Sequence, residues 1–476
     1  MRWNNRRCSI VMSVAAISLL ARGAAIAADP PVASLTITLA ADGPAAADAA
    51  DVKIDTSHRE ANRVVLRDPK SNRSLQTFCI GPDGRLFGVV AKSFYDGAEQ
   101  TEGGDIRVLD AVGKETATWT TKFTPQRIAA APDGGLFVGG SGRILHLSSD
   151  GKTVAEVESP HLKVVLADKA ALRKAAEEQH AENLRQYEEQ LASFDEQVKS
   201  LSDQLKKEEE AKKNSSDKKS EKKERKSTVR STASSIFSIF SESGGEASVK
   251  SQLEQFRQIQ DSYKRMLETE KKKSLEDIER EIAARLQRIH GIAASADAVY
   301  VATAMAKGYG YAVWRMDRDF GNAKEIITGL SGCCGQIDIQ AKGKELFVAE
   351  NSRHRVVRYD DSGKKLGAWG KRDRDGAAGG FGGCCNPMNL CFTGDGSVVT
   401  SESEGVMKRF SPDGKFAGFV GNAKVGGGCK NVAVAVSTDG KHAYFYDQQG
   451  SQIIVFDRVD SAEEPKGKPA KSTTVQ

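Results

Sequence analysis

The sequence predicts an all-β propeller of six blades, interrupted by a long α-helical antiparallel coiled-coil hairpin. Three observations carry that prediction. Six segments repeat one pattern of short apolar strands broken by Gly-bearing turns. Between the second and third repeats the composition shifts to Glu, Lys, Gln, Leu and Ala, with apolar residues in heptad spacing. An apolar strand near the N-terminus, "NRVVLRD" at 62–68, can supply the outer strand that the last repeat lacks.

The elements follow in chain order. Residues 1–27 read as an export signal: Arg2, Arg6 and Arg7 precede the apolar run "SIVMSVAAISLL", and "AIA" stands before Ala28. The run is short for a membrane span, and no other segment is apolar enough for one. "NRRCSI" also resembles a twin-arginine signal, so the export route stays open. The expected localisation is periplasmic or secreted. Residues 28–61 read as a linker and 459–476 as a disordered tail. Net charge is only +5 with 28% charged residues, which gives no global argument for nucleic acid.

The propeller repeats fall in 62–160, blades one and two with the closing strand, and in 290–458, blades three to six. "LQTFCIGPDGRLFGVV" and "PQRIAAAPDGGLFVGGSGRILHLSSDGK" come first. "HGIAASADAVYVATAMAKGYGYAVWRMDRDFGN" and "GQIDIQAKGKELFVAENSRHRVVRYDDSGKKLGAWG" follow the insertion. "PMNLCFTGDGSVVTSESEGVMKRFSPDGKFAGFVG" and "NVAVAVSTDGKHAYFYDQQGSQIIVFDRV" complete the set. Their strands are rich in Val, Ile, Phe, Tyr and Leu, and their turns carry Asp-Gly or Ser-Gly pairs. Four such strands in roughly 40–50 residues is the spacing of propeller blades.

"LFVAENSRHRVVRYDDSGKKLGAWG" (346–370) resembles an NHL repeat through Glu350, Asn351, Arg353, Val356 and Tyr359. "FGGCCNPMNLCFTGDG" resembles the next element of that family: Phe, then Pro, an apolar strand and Asp-Gly. The resemblance covers 70–160 and 289–458 and implies a six-bladed propeller, in agreement with the repeat count. Such proteins mostly bind proteins, RNA or glycans, and some relatives are lyases or hydrolases, so the resemblance leaves function open.

Residues 161–289 form the insertion. Leu184, Tyr187, Leu191, Phe194, Val198, Leu201 and Leu205 make one heptad seam. Leu253, Phe256, Tyr263, Leu267, Ile278, Ile282, Leu286 and Ile289 make a second, weakened in its middle by Lys271 and Ser274. Both ends must return to adjacent blades, which calls for a hairpin. Helices of about 45 residues would reach roughly 65–70 Å. The charged run "KKEEEAKKNSSDKKSEKKERKS" reads as a solvated, disordered tip. Ile236, Phe237, Ile239 and Phe240 beside it could touch a membrane or a partner, or fold back onto the arm. The arm itself could self-associate, dock a partner or act as a spacer.

The cysteines are the main chemical signal. Cys333 and Cys334, Cys384 and Cys385, and Cys429 stand at equivalent points, where a blade's first strand begins. Repeat geometry should therefore gather them on one face near the channel mouth. Three chemistries remain open: disulfides that staple the blades, a thiolate site for copper or zinc, or redox-active thiols. Cys-x-x-Cys spacing is missing, which weakens a zinc reading. Cys79 and Cys391 sit four residues before Asp83 and Asp395, within first strands, and read as packed thiols.

His290, Asp338 and Asn389 are expected as polar residues of the channel mouth, and His354 as an exposed turn residue. Ser-His-Asp, HExxH and Lys-bearing phosphate loops are all missing from the sequence. The reading is an exported binding or scaffolding module, not an enzyme, that takes a protein or glycan at the propeller face and uses the arm as a second surface. The alternative is a metal- or thiol-dependent enzyme, or a metal-binding protein, built on the cysteine cluster.

Overall fold

The computed structural model describes residues 55–68, 70–93, 102–220, 245–305, 308, 310–333, 335–373, 378–428 and 430–459. The export signal, most of the linker, the apolar tip at 236–240, the C-terminal tail, Cys334 and Cys429 lie outside them. The described residues form two compact units, one from the flanking repeats and one spanning Asp168–Ala283. Among the described residues no helix is long and apolar enough to cross a membrane.

The first unit is a β-propeller built from antiparallel sheets. The first sheet holds β2 (Arg67–Asp68), β3 (Arg73–Ile80), β4 (Leu86–Ala91), β5 (Gly104–Leu109) and β6 (Glu115–Thr121). The second holds β7 (Arg127–Ala130), β8 (Leu136–Gly140), β9 (Arg143–Leu147) and β10 (Thr153–Glu158). The third holds β11 (Ile289–Ala294), β12 (Ala298–Ala304), β13 (Tyr311–Asp317) and β14 (Lys324–Leu330). The fourth holds β15 (Asp338–Lys342), β16 (Glu345–Glu350), β17 (Arg355–Asp360) and β18 (Lys365–Trp369). The fifth holds β19 (Asn389–Phe392), β20 (Val398–Ser401), β21 (Val406–Phe410) and β22 (Phe416–Asn422). The sixth holds β23 (Val434–Val436), β24 (His442–Asp447), β25 (Gln452–Arg458) and, from the other end of the chain, β1 (His58–Val65).

The closing strand starts earlier than "NRVVLRD" and divides. His58–Val65 pairs with β25, while Arg67 and Asp68 pair with β3 of the first sheet. The first strands touch in the cyclic order β3, β7, β11, β15, β19, β23 and back to β3. Each neighbouring pair of sheets encloses its own apolar cluster. Tyr300, Val313, Ile339 and Val348 fill one between the third and fourth sheets. Val399, Met407, Phe445 and Phe456 fill another between the fifth and sixth.

Strand position explains the two apolar patterns in the sequence. Second strands such as β4 and β8 are buried on both faces and read as continuous apolar runs. Outermost strands such as β6 are half exposed and alternate with Thr. Two of the repeated Asp-Gly turns have a packing reason. Gly151 (φ 85°) and Gly414 (φ 90°) lie under Trp119 and Trp369 of the preceding sheet. A Cβ at either would come within 2.2 Å of the indole, and the left-handed backbone is one that glycine adopts readily.

The chain leaves the propeller through α1 (Pro160–Ala167) and re-enters at the end of α4 (Leu275–Leu286). His161 ties the two ends. Its Nε2 donates to the Leu286 carbonyl at 2.7 Å and its Nδ1 meets Ser159 Oγ at 2.7 Å. Burial lowers its pKa to about 4, so the ring is neutral.

The second unit is an antiparallel helical hairpin of α2 (Lys169–Ser220) and α3 (Gly245–Lys272), followed by α4. Contacts run in opposite directions along the two helices. Asn183 Nδ2 donates to Glu270 Oε1 at 2.8 Å, and Tyr187 and Phe194 meet the Tyr263 ring at 6.1 and 5.1 Å. The weak middle of the second seam is a break. Ser274 starts α4 with a reciprocal cap, its Oγ accepting from Asp277 N while Asp277 Oδ2 accepts from Ser274 N at 2.9 Å. The last seam residue, Ile289, is not helical; it opens β11 and is fully buried.

Candidate functional site

The loops that enter the inner strands of the fourth and fifth sheets bring three sulfurs together. The Sγ atoms of Cys333, Cys384 and Cys385 all lie within 4.8 Å of one another. Cys384 and Cys385 stand 3.0 Å apart, beyond the roughly 2.05 Å of a disulfide. Cys384 is exposed, Cys333 half-buried and Cys385 buried, so the group opens to solvent on one side.

Each loop is held by buried polar side chains. Asn351, fully buried, accepts from Cys333 N at 2.7 Å and donates to the Gln336 carbonyl at 3.2 Å. Its Nδ2 also meets Met388 Sδ at 3.6 Å. Glu350 accepts from Ser331 N at 3.1 Å and is paired with Arg355. Glu350 and Asn351 thus hold the Cys333 loop.

The other loop rests on an ion pair. Lys408 Nζ lies 2.6 Å from Glu402 Oε1 and donates to the Gly380 carbonyl at 2.7 Å. Glu402 Oε2 accepts from Gly382 N at 2.9 Å. Burial raises the Glu402 pKa, and the Lys408 ammonium opposes that rise. Asn386 donates to Glu404 Oε2 at 2.8 Å and accepts from Ser403 N at 2.9 Å. Gly383, at φ 64°, takes a left-handed backbone that glycine adopts readily, beside Glu404 Oε1.

His354 is not the exposed turn residue the sequence implies. It is 7% exposed, adopts the left-handed conformation, and sits close enough to Cys333 and the Asn386 main chain to interact with both. Burial lowers its pKa, and its Nδ1 has no hydrogen-bond partner. Nothing in the "NSRHR" stretch signals this, because the enclosing residues come from the next sheet.

His290, Asp338 and Asn389 are where repeat alignment places them, at the start of inner strands, and all are buried. One side-chain polar atom of each joins neighbouring sheets, and His290 Nε2 has no hydrogen-bond partner. His290 Nδ1 donates to the Gly335 carbonyl at 2.9 Å. Asp338 Oδ2 accepts from Leu390 N at 2.8 Å, and Asn389 Oδ1 accepts from Val432 N at 3.0 Å. Three residues that the sequence reading passed over continue this chain of ties. Gln126 accepts from Ile289 N at 2.9 Å, Arg127 donates to the His290 carbonyl at 2.7 Å, and Asn431 donates to the Gln76 carbonyl at 3.1 Å. Burial holds His290 well below the usual imidazole range and pushes Asp338 up to about 6, against the Leu390 amide. The thiols of Cys79 and Cys391 are likewise pushed up by burial, which keeps them inert.

Beside these ties lies a small polar recess of about 40 Å³. Gln76, Lys92, Gln126, Arg127, Arg288 and Gln336 line it. Its charged lining is cationic, and its volume suits one or two waters or the tip of one side chain.

No family model matches the chain, and no curated protein matches it. Among solved structures, the Pan2 WD40 domain of Neurospora crassa is similar at 7% identity and a TM-score of 0.38, over 86% of this chain and 98% of that one. The Cps50 (Swd1) beta-propeller domain of Myceliophteria thermophila is similar at 8% identity and a TM-score of 0.37, over 84% of this chain and 100% of that one. At these values neither bears on function.

Proposed function

We propose that this chain is an exported, non-enzymatic binding module. In this reading the six sheets are the blades of an NHL-like propeller, and α2 with α3 is a coiled-coil arm that offers a second interaction surface. The N-terminal signal supports a periplasmic or secreted protein. The observation that carries the binding role is the recess at the inner-strand ends. It is too small to enclose a substrate, yet Lys92, Arg127 and Arg288 line it. Such a recess can seat an acidic side chain of a protein partner, with affinity coming from the surface around it.

The test is crosslinking in intact cells followed by mass spectrometry, comparing wild type with Arg288→Glu. A protein joined to the mouth in wild type and lost in the variant, at unchanged melting temperature, supports the reading. Identical crosslinks in both overturn it. N-terminal sequencing of the mature protein tests export, with Ala28 as the expected first residue.

A further inference from the structure

We propose that Cys333, Cys384 and Cys385 form a thiolate site for Cu(I). The inference goes beyond the binding role and stands on separate residues.

The donor set selects the cation. Among the described residues the group consists of three sulfurs alone, with no carboxylate or imidazole nitrogen joining it. Met388, a thioether, lies against the Asn351 side chain that also holds Cys333. Soft sulfur ligands select Cu(I) over hard cations. Met388 packs in one cluster with Cys333 and Cys385, and a thioether beside thiolates suits Cu(I), whereas zinc takes thiolate, imidazole and carboxylate ligands.

The site is built, not incidental. Cys333 comes from one sheet's entry loop and Cys384 and Cys385 from the next. Each loop is fixed by side chains nine-tenths or more buried: Asn351 and Glu350 on one side, Glu402, Lys408 and Asn386 on the other.

Electrostatics separates a metal site from a reactive thiol. A nucleophilic or redox cysteine is made by nearby positive charge. Three carboxylates, Glu350, Glu402 and Glu404, bond to the two loops, against the Lys408 ammonium and the Arg355 guanidinium that pairs with Glu350, with the His354 imidazole beside Cys333. That surrounding favours an arriving cation, which then stabilises the thiolates itself. Binding replaces three S–H protons by three Cu–S bonds and releases three protons to solvent. Copper enters and stays as Cu(I), so no electron moves. Exposed Cys384 gives the ion a way in, and buried Cys385 gives the site a dry floor.

The test uses the full mature chain, reduced and kept free of oxygen, titrated with Cu(I) against a chromophoric Cu(I) chelator. The expected result is one Cu(I) withheld per chain, with an all-sulfur first shell by X-ray absorption. Cys333→Ser and Cys384→Ser should each weaken binding by more than about 100-fold, beyond what loss of an outer contact produces. Cys391→Ser should leave it unchanged. Should a serine variant fail to fold, the wild-type absorption spectrum decides alone. Failure to withhold Cu(I), a nitrogen or oxygen shell, or Zn(II) that Cu(I) does not displace would each overturn the proposal. So would protein from its own compartment in which Cys333 is disulfide-bonded to Cys384 or Cys385 and which takes up no copper after reduction.

Discussion

Lys408 of the propeller and Arg185 of the helical hairpin both hold glutamates, in opposite surroundings. Lys408 is 0% exposed, between the Phe381 and Phe419 rings, and its partner Glu402 is 3% exposed. Arg185 lies on the open side of α2, paired with Glu182 and Glu189 at 2.7 Å each. One pair ties a loop of the fifth sheet to its strands. The other runs along a single helix and fixes nothing beyond it. The contrast shows how the two units are stabilised. The propeller spends buried polar groups on joining separate sheets and entry loops, while the hairpin relies on an apolar seam with one buried carboxylate, Glu270, held by Asn183 and Lys273, and leaves charges such as Arg185 to water.

The comparison can be broken most strongly at Lys408. Lys408→Met leaves the Glu402 carboxylate buried without its cation, a loss of about 3–5 kcal/mol. Chemical denaturation followed by near-UV circular dichroism should show it, together with faster proteolysis of the loop at 380–386. An unchanged midpoint would mean that the pair is not buried in solution.

Phe194→Ala probes the hairpin at a buried seam residue of α2, 2% exposed and packed on Tyr263 and Phe256. The expected cost is about 3 kcal/mol or more. It should appear in the far-UV helical signal and leave the propeller's near-UV transition in place. A shift of both transitions together would mean that the two units do not unfold separately.

Asp338→Asn should have the opposite sign. The Asp338 carboxyl is pushed up to about 6 by burial, so the folded state holds its proton over a pH range in which the unfolded chain has released it. Stability therefore falls as pH rises from about 4 to 6. The asparagine Oδ1 can still accept from Leu390 N, and the cost of charging is gone. A gain of roughly 1–3 kcal/mol is expected at pH 7, vanishing below about pH 4. Equal stability of the two proteins at pH 7 would contradict it.

Arg185→Ala should have the smallest effect. Its pairs are exposed and screened by salt, so the melting temperature of the helical signal should stay within error at 150 mM salt. A clear drop would mean that this face of α2 is covered, for instance by a partner or a second copy.

Much of this architecture is legible along the chain, for a physical reason. Strand period, turn chemistry and heptad spacing are local properties, so the repeats and the two helical seams can be read from neighbours in sequence. The gathering of Cys333 with Cys384 and Cys385 is also legible, because aligned repeats must place equivalent loops near one another. Two residues mark the limit. His354 sits in a polar turn and reads as exposed, yet the next sheet's loop encloses it. Lys408 follows Met407 in an ordinary alternating strand, and nothing in "VMKRF" marks its ammonium as buried.

The sequence by itself determined the repeat, the strand and helix periods, the insertion and the equivalence of the cysteine loops. The periods depend on residues a few positions apart, and the repeat and the loop equivalence on comparing one such local pattern with the next. Only the tertiary structure decided which polar groups are buried, that the N-terminal strand divides between the sixth and first sheets, and that His290, Asp338 and Asn389 act as ties. Those outcomes depend on partners tens to hundreds of residues distant, and on how much water remains around each group once the sheets have packed.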